Sequence, residues 1–482
     1  MSQLKVWFTV SEAEGLIKSG GLADVGKALP KALQNSGLNV AIAIPGYTKL
    51  PNLSSAPVVL ETRLEHWPHT PYQVRKLELD GVPVYSFECE QYFDRPEMYA
   101  ERNQAYADNG ERFAFFAAAS LDALPKLSFQ PDVIHANDWH TGLVPFLLKT
   151  RFAGSEFFAG TKSVITIHNA LFKGVFPLNE VPNIPELKEA PAHTVNYGHD
   201  CISTLRAGIH YADKINAVSP NYAEELKTPL GSHGLVNDFL ARSDDFSGIV
   251  NGCDYSEWDP AIDQYLAKKY KPTKASIKSG KAGNKAALQE LVELPVAKVP
   301  VFGMVCRLTH QKGFHYLLPI LEKFLHNDVQ LVIVGTGDPD IAAQLHEVAE
   351  QYDNKFAFVE AYDNKLAHLV EAGADFFLMP SEFEACGLNQ IYSMAYGTLP
   401  IVRAVGGLKD TVNDYDTDPS IATGFAFTEP TASDLLTIMQ RALILYLQNP
   451  AEFSALQLRA MKQDFGWNIA AESYIEMYQK AR

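Results

Sequence analysis

Residues 299–325 read VPVFGMVCRLTHQKGFHYLLPILEKFL. The stretch opens as a short apolar run of the kind that forms a buried strand. It closes with Phe314, Leu317, Leu318, Leu321, Phe324 and Leu325 at i, i+3, i+4, i+7, i+10 and i+11, which is one packing face of an amphipathic helix. The loop between carries Arg307 and Lys312, five residues apart, beside Gly313. Strand, cation-bearing loop and helix form the repeating unit of an open α/β sheet, whose strand ends share the edge where ligands bind. Two basic residues in a loop are by themselves an ordinary solvated surface, so the neighbouring segments decide the reading.

The alternation continues on both sides. Downstream follow VQLVIVGTGD (329–338), FAFVEAY (356–362) and ADFFLMPSEFEACGL (374–388). Upstream lie VAIAIPGY (40–47), PDVIHANDWH (131–140), KSVITIHN (162–169) and DKINAVS (213–219), each ending an apolar run in polar residues. At the start, LKVWFTVS (4–11) reads as a strand and KSGGLADVGKALPKAL (18–33) as a glycine-bearing turn feeding a helix, with Leu22, Val25, Leu29, Ala32 and Leu33 on its inner face. Two Rossmann-like α/β domains facing each other across a cleft is the simplest architecture. The expected division is residues 1–246, then 247–460, then a helical segment 461–482 returning to the first domain. The hinge falls near GIVNGCDYSEW (248–258), and the lysine-rich stretch 270–289 reads as a surface connection leading into a helix.

Composition narrows the function. The chain has 482 residues, 47% apolar and 20% charged, an ordinary globular balance with too much chain for one core. The net charge of −16 repels nucleic acid and anionic membrane, so an anionic ligand has to be held by a few local cations. No apolar run is long enough for a secretory signal core or a membrane-spanning helix. Five dispersed cysteines without a C-x-x-C pair fit reduced thiols, and the cytoplasm is the expected compartment.

Three segments carry candidate chemistry. In SEFEACGLNQIYSMAYG (381–397) the stripe Leu388, Ile391 and Ala395 places Glu384 to Gly387 at a helix start, where backbone N–H groups attract anions and Gly387 allows close approach. His168 and Asn169 end an apolar run at the ligand-bearing edge. HANDWHTG gathers His135, Asp138, Trp139 and His140, but no matching ligand cluster accompanies them; a flat Trp face beside a carboxylate suits a sugar better than a metal.

KSGGLADV, HANDWHTGL, TIHN, NGCD, CRLTHQKG and EACGLNQIYSMAYGTLPIVRAVGGLKDTV follow one another in the order found in bacterial glycogen synthases and plant starch synthases, and the chain resembles that family from Lys5 to DFGWNIAAESY. The resemblance implies a retaining glucosyltransferase of the GT-B fold that moves glucose from ADP-glucose to the 4-hydroxyl at the non-reducing end of an α-1,4-glucan, with no cofactor or metal. By its implication Lys18, Gly20, Gly21 and Asp24 lie at the nucleotide-sugar site, Arg307 and Lys312 on the diphosphate, His168 at the glucose pocket, and Glu384 in the catalytic loop with Cys386, Gly387 and Leu388. Tyr99, Asp138, Asn169 and Asn251 fall where family members contact glucose or acceptor, and Tyr362 where one stacks on adenine.

The chain departs from the common pattern in EACG for EPCG, in Ser19 for Thr, and in Tyr392, which stands where many retaining GT-B enzymes carry a second glutamate. Three rivals remain to be weighed: a dinucleotide oxidoreductase using GTGDPD (335–340), another GT-B enzyme such as a phosphorylase, and a non-catalytic glucan-binding protein.

Overall fold

The computed structural model describes residues 3–102, 104–361 and 363–482. The chain forms two compact units, residues 1–252 with 467–482, and residues 253–466.

The first unit is built on a nine-stranded sheet in the order Phe246–Gly248, Lys214–Ala217, Lys162–Ile167, Val133–Asn137, Lys5–Thr9, Asn39–Pro45, Val82–Glu88, Pro71–Leu79, Val58–Arg63. The first seven strands are parallel and the last two antiparallel. Burial follows topology. Val133–Asn137 is buried throughout, because helices cover both faces, whereas the antiparallel strand Pro71–Leu79, next to the edge, alternates more and less buried residues. The helix Gly21–Asn35 buries the expected Leu22, Val25, Leu29, Ala32 and Leu33. The last helix, Trp467–Ala481, packs against it and sinks Tyr474 and Tyr478 into the sheet, where Tyr478 Oη lies 2.7 Å from His135 Nδ1 and Asn216 Nδ2 donates to Tyr474 Oη at 3.0 Å.

The second unit holds a six-stranded parallel sheet in the order Phe356–Val359, Gln330–Val334, Val301–Val305, Phe376–Met379, Leu399–Arg403, Phe425–Phe427. Its core joins Val332, Phe377, Val402 and Leu408 with Leu288 and Leu369 from the covering helices. The helix after the opening stretch spans Phe314–Leu325 and buries five of the six stripe residues, Leu318 staying partly exposed.

Two expectations need correction. The divisions fall later than 246 and 460, because Phe246–Gly248 pairs with Lys214–Ala217 as an edge strand of the first sheet and the helix Pro450–Met461 packs within the second unit. The lysine-rich stretch is helix from Lys274 to Leu291, opened by the Thr273 side chain accepting from Ser276 N–H. Its inner face runs Ile277, Gly280, Lys281, Asn284 and Leu288, and Lys281 is buried with its ammonium on the Thr398 hydroxyl and the Glu371 carbonyl. No helix among the described residues is long and apolar enough to cross a membrane.

Candidate active site

In the first unit the sites gather where the parallel strands end. Lys5–Thr9 runs into Glu12, whose carboxylate collects the loop that follows: it accepts from the Ser19 N–H at 2.5 Å, the Ser19 hydroxyl at 3.0 Å and the Gly20 N–H at 3.2 Å, and Tyr99 Oη stands 3.2 Å away. Lys18 is not an unengaged cation. It pairs with Asp24 at 2.7 Å and Glu14 at 3.0 Å, and although burial opposes its charge these carboxylates raise its pKa. Burial in turn pushes the Asp24 carboxyl up, against the pull of Lys18.

The two glycines beside Lys18 differ from most others in the chain. A Cβ on Gly20 or Gly21 would meet nothing within 4 Å, whereas one on Gly26 would come within 2.4 Å of the Glu12 carbonyl. The fold needs Gly26; it leaves open space over Gly20 and Gly21. The rival loop GTGDPD behaves the opposite way, since a Cβ on Gly335 would lie 1.9 Å from the Cys306 carbonyl and one on Gly337 2.4 Å from the Leu308 carbonyl. Those glycines serve strand packing, and Asp338 spends its carboxylate capping the next helix, so nothing there is shaped for a pyrophosphate.

His168 ends the strand Lys162–Ile167, with Nε2 2.9 Å from Asn137 Oδ1. Asn137 Nδ2 donates to the Thr9 carbonyl, which fixes Oδ1 as the acceptor and assigns the proton to His168 Nε2. Burial pushes the imidazoles of His168, His135 and His140 down to about 3, so all three are neutral near pH 7. Asp138 accepts from the His168 and Asn169 N–H groups at 2.7 and 3.3 Å, and burial raises its carboxyl to about 7. It sits at φ 56°, an unusual backbone for a non-glycine residue. Trp139, His140 and Tyr99 stack in sequence, with centroids 4.0 and 4.7 Å apart, and Tyr99 Oη lies 2.8 Å from Ser11 Oγ. Two buried polar atoms here have no partner among the described residues, His140 Nδ1 and Asn251 Oδ1.

In the second unit Lys312 Nζ lies 2.6 Å from Glu384 Oε2, and the Ser381 hydroxyl donates to the same oxygen at 3.0 Å. Arg307 is exposed on the same loop as Lys312. Glu384 to Gly387 do not open a helix as expected. The helix is Asn389–Ala395, because Gly387 at φ 72° and Leu388 at φ −120° leave helical geometry. A Cβ on Gly387 would come within 2.6 Å of Gln390 Oε1, so the fold itself already accounts for that glycine. Cys386 is buried and Leu388 partly exposed. Tyr392 lies flat on Trp258 (3.9 Å, 1°), which lies on His368 (3.8 Å, 8°), an aromatic column in place of a second carboxylate. Tyr362 lies outside the described residues. Among the described residues no group of three or more His, Cys, Asp or Glu could hold a metal ion.

The structure thus brings Lys18, Gly20 and Asp24 together with Glu12 and Tyr99, joins His168 and Asn169 through the Asp138 carboxylate with Asn137 on the His168 ring, and places Lys312 against Glu384. Glu12, Asn137 and Ser381 were missed. Glu12 and Ser381 follow strands at the carboxyl edge, which is the signal that could have found them.

A family model described as starch synthase catalytic domain matches residues 5–241, and one described as glycosyl transferases group 1 matches residues 292–454. The chain is 64% identical to a glycogen synthase of Vibrio cholerae over 482 residues, covering all of both, and 62% identical to one of Vibrio atlanticus over 478 residues, 99% of each. Among solved structures it superposes on the catalytic domain of starch synthase IV from Arabidopsis thaliana, bound to ADP and acarbose, with TM-score 0.89 at 29% identity, covering 100% of this chain and 99% of that one. A sucrose-phosphate synthase from Thermosynechococcus elongatus shares the fold, with TM-score 0.60 at 19% identity over 99% of each chain.

Proposed function

The chain belongs to the family of bacterial glycogen synthases and plant starch synthases, glycosyltransferases of the GT-B fold, and on that premise we propose how its residues carry glucose from ADP-glucose to the non-reducing end of an α-1,4-glucan such as glycogen, with retention of configuration and release of ADP. The bond between the anomeric carbon and the diphosphate oxygen breaks, the anomeric carbon bonds to the acceptor's 4-hydroxyl oxygen, and the hydroxyl proton leaves with the departing phosphate. Negative charge grows on ADP and positive charge on the sugar. Arg307 and Lys312 stabilise the first, as does Lys18 in the role that the family resemblance gives it, and these cations do so without a metal.

The observation that carries this reading is the Lys312–Glu384 pair at 2.6 Å at the carboxyl edge of the second sheet. A cation for the leaving group and a carboxylate for the sugar stand side by side, as a bond that separates charge requires. Glu384 holds sugar hydroxyls and stabilises developing positive charge. His168, neutral, donates from Nε2 to Asn137 and turns its Nδ1 lone pair and backbone to the glucose, while Tyr99, Asp138, Asn169 and Asn251 supply polar contacts. The orphaned Asn251 Oδ1 is an acceptor awaiting a hydroxyl. Asp138 is engaged by two N–H groups, which suits a hydroxyl-binding group better than a nucleophile. The open space over Gly20 and Gly21 supports their place at the nucleotide sugar. Tyr362 on the adenine rests on the family resemblance alone, as do Gly387 and its neighbours as donor contacts. The cytoplasm as compartment, and ADP-glucose and glucan as the sole requirements, are part of this proposal and rest on the family resemblance.

Glu384→Gln tests the reading. Turnover should fall about 10²- to 10⁴-fold while ADP-glucose still binds, the range for losing one electrostatic or proton-transfer group. Full turnover in this variant would remove Glu384 from the chemistry.

A further inference from the structure

The loop carrying Glu384 is fastened at each carbonyl from Ser381 to Glu384. Arg403 Nη1 donates to the Ser381 carbonyl at 3.4 Å and, more closely, to the Glu382 carbonyl. Gln311 brackets the next peptide, its carbonyl accepting from the Glu382 N–H at 2.7 Å and its side-chain amide donating to the Phe383 carbonyl at 2.9 Å. The Glu384 carbonyl accepts from the Gly407 N–H at 3.2 Å, and a Cβ on Gly406 would come within 1.8 Å of that same carbonyl oxygen. From the other side Gly313 is pressed against the Pro380 carbonyl, where a Cβ would lie 2.0 Å away. A segment bonded at this density holds the Glu384 carboxylate in a single place.

The side chain is fixed with the same economy. Lys312 and Ser381 both bond Glu384 Oε2, and no hydrogen bond to Oε1 occurs among the described residues. Ser381 is 1% exposed, so its hydroxyl has no competing water, while Lys312 is a cation that an incoming diphosphate also attracts. When the ammonium turns toward phosphate, the Ser381 hydroxyl is the contact that keeps Oε2 in place.

We propose that Ser381 is a positioning residue for the transfer, locking Glu384 Oε2 so that Oε1 faces the sugar, and that Gln311 supports it by fixing the loop backbone. The assignment rests on the reading of Glu384 given above. Misplacing a group by about 1 Å costs up to about 10²-fold in rate, so Ser381→Ala should lower kcat by about 10- to 100-fold while the Kd for ADP-glucose changes less than about threefold.

The test is a double-mutant cycle read with labelled ADP-glucose and glycogen, using Ser381→Ala, Glu384→Ala and the pair. Ser381 acting through Glu384 predicts that Ser381→Ala slows the otherwise intact enzyme but leaves the residual rate of Glu384→Ala unchanged. An equal loss in both backgrounds, or no loss in either, overturns the proposal. Gln311→Met, which keeps the Ser381 hydroxyl, provides a second cycle should Ser381→Ala fold poorly, and the same two patterns decide it. Full turnover in Glu384→Ala would instead sink the parent reading, an outcome distinct from both.

Discussion

At the scale of single residues, the least expected finding is how thoroughly the lysines are compensated. Lys18 lies between two carboxylates and Lys312 against a third, so each cation already has partners that an anionic ligand would have to displace. On the proposed reading Lys18→Gln removes a charge from the leaving group, and it also leaves Glu14 and Asp24 facing each other without their shared cation. Its turnover should fall about 10²-fold or more, and a change confined to the apparent donor affinity would show that Lys18 only binds. The glycines give a sharper contrast. Gly21→Ala should leave stability unchanged or raise it by up to about 1 kcal/mol, since Ala favours the helix and meets nothing, while weakening ADP-glucose binding. Calorimetry and donor titration measure both; unimpaired binding would show that no ligand approaches that backbone. Lys18, Arg307, Lys312 and Glu384 could be named as candidates from the sequence because each stands in a short local pattern. Glu12 and Ser381 were not, because what defines them is a set of contacts: Glu12 meets Tyr99 across 87 positions, and the Ser381 carbonyl meets Arg403 across 22.

Among the elements, the C-terminal helix shows how a surface-looking amphipathic segment becomes structural. Tyr478 Oη bonds the buried His135 Nδ1, whose Nε2 faces Thr166 Oγ1 at 2.8 Å. Tyr478→Phe should cost about 1–3 kcal/mol by leaving that nitrogen unpaired, read as a lowered urea midpoint; an unchanged midpoint would show that the bond contributes nothing net. The same imidazole sets a pH dependence. Burial, assisted by His168, holds His135 at about 3 against an ordinary 6.5, so between these values the unfolded chain takes up a proton that the folded one refuses. Its contribution to stability is present above pH 6.5 and is lost as pH falls toward 3. The difference in stability between the natural protein and His135→Gln should therefore move against the natural protein by about 1.4 kcal/mol per pH unit below 6.5. A constant difference between pH 7 and 5 would mean the imidazole is not held neutral. Two elements escaped the sequence reading for identifiable reasons. Lysine content disguised the helix Lys274–Leu291, whose inner face tolerates Lys281 only because Thr398 and the Glu371 carbonyl receive its ammonium. The antiparallel edge at Val58–Glu88 lacks long apolar runs, although Asp80 and Gly81, both at positive φ between Pro71–Leu79 and Val82–Glu88, form the hairpin turn that signals it.

For the whole molecule, strand–loop–helix order was enough to read two α/β units, because buried parallel strands need continuous apolar runs that stand out against 20% charged residues. The precise divisions were not legible, since an edge strand of three residues such as Phe246–Gly248 carries too little pattern to assign to a sheet. The charge of −16 leaves ADP-glucose to be held by local cations, and the metal-free account predicts that a chelator leaves the rate unchanged. Complete loss with one metal restoring activity would contradict it. The central claim, glucosyl transfer from ADP-glucose to an α-1,4-glucan, is tested most directly by incubating the protein with glycogen and either ADP-glucose or UDP-glucose and measuring nucleoside diphosphate release together with labelled glucose in the polymer. The account predicts equal amounts of ADP and incorporated glucose, joined by α-1,4 linkages, with far less from UDP-glucose; ADP release without incorporation, or no release at all, would contradict it.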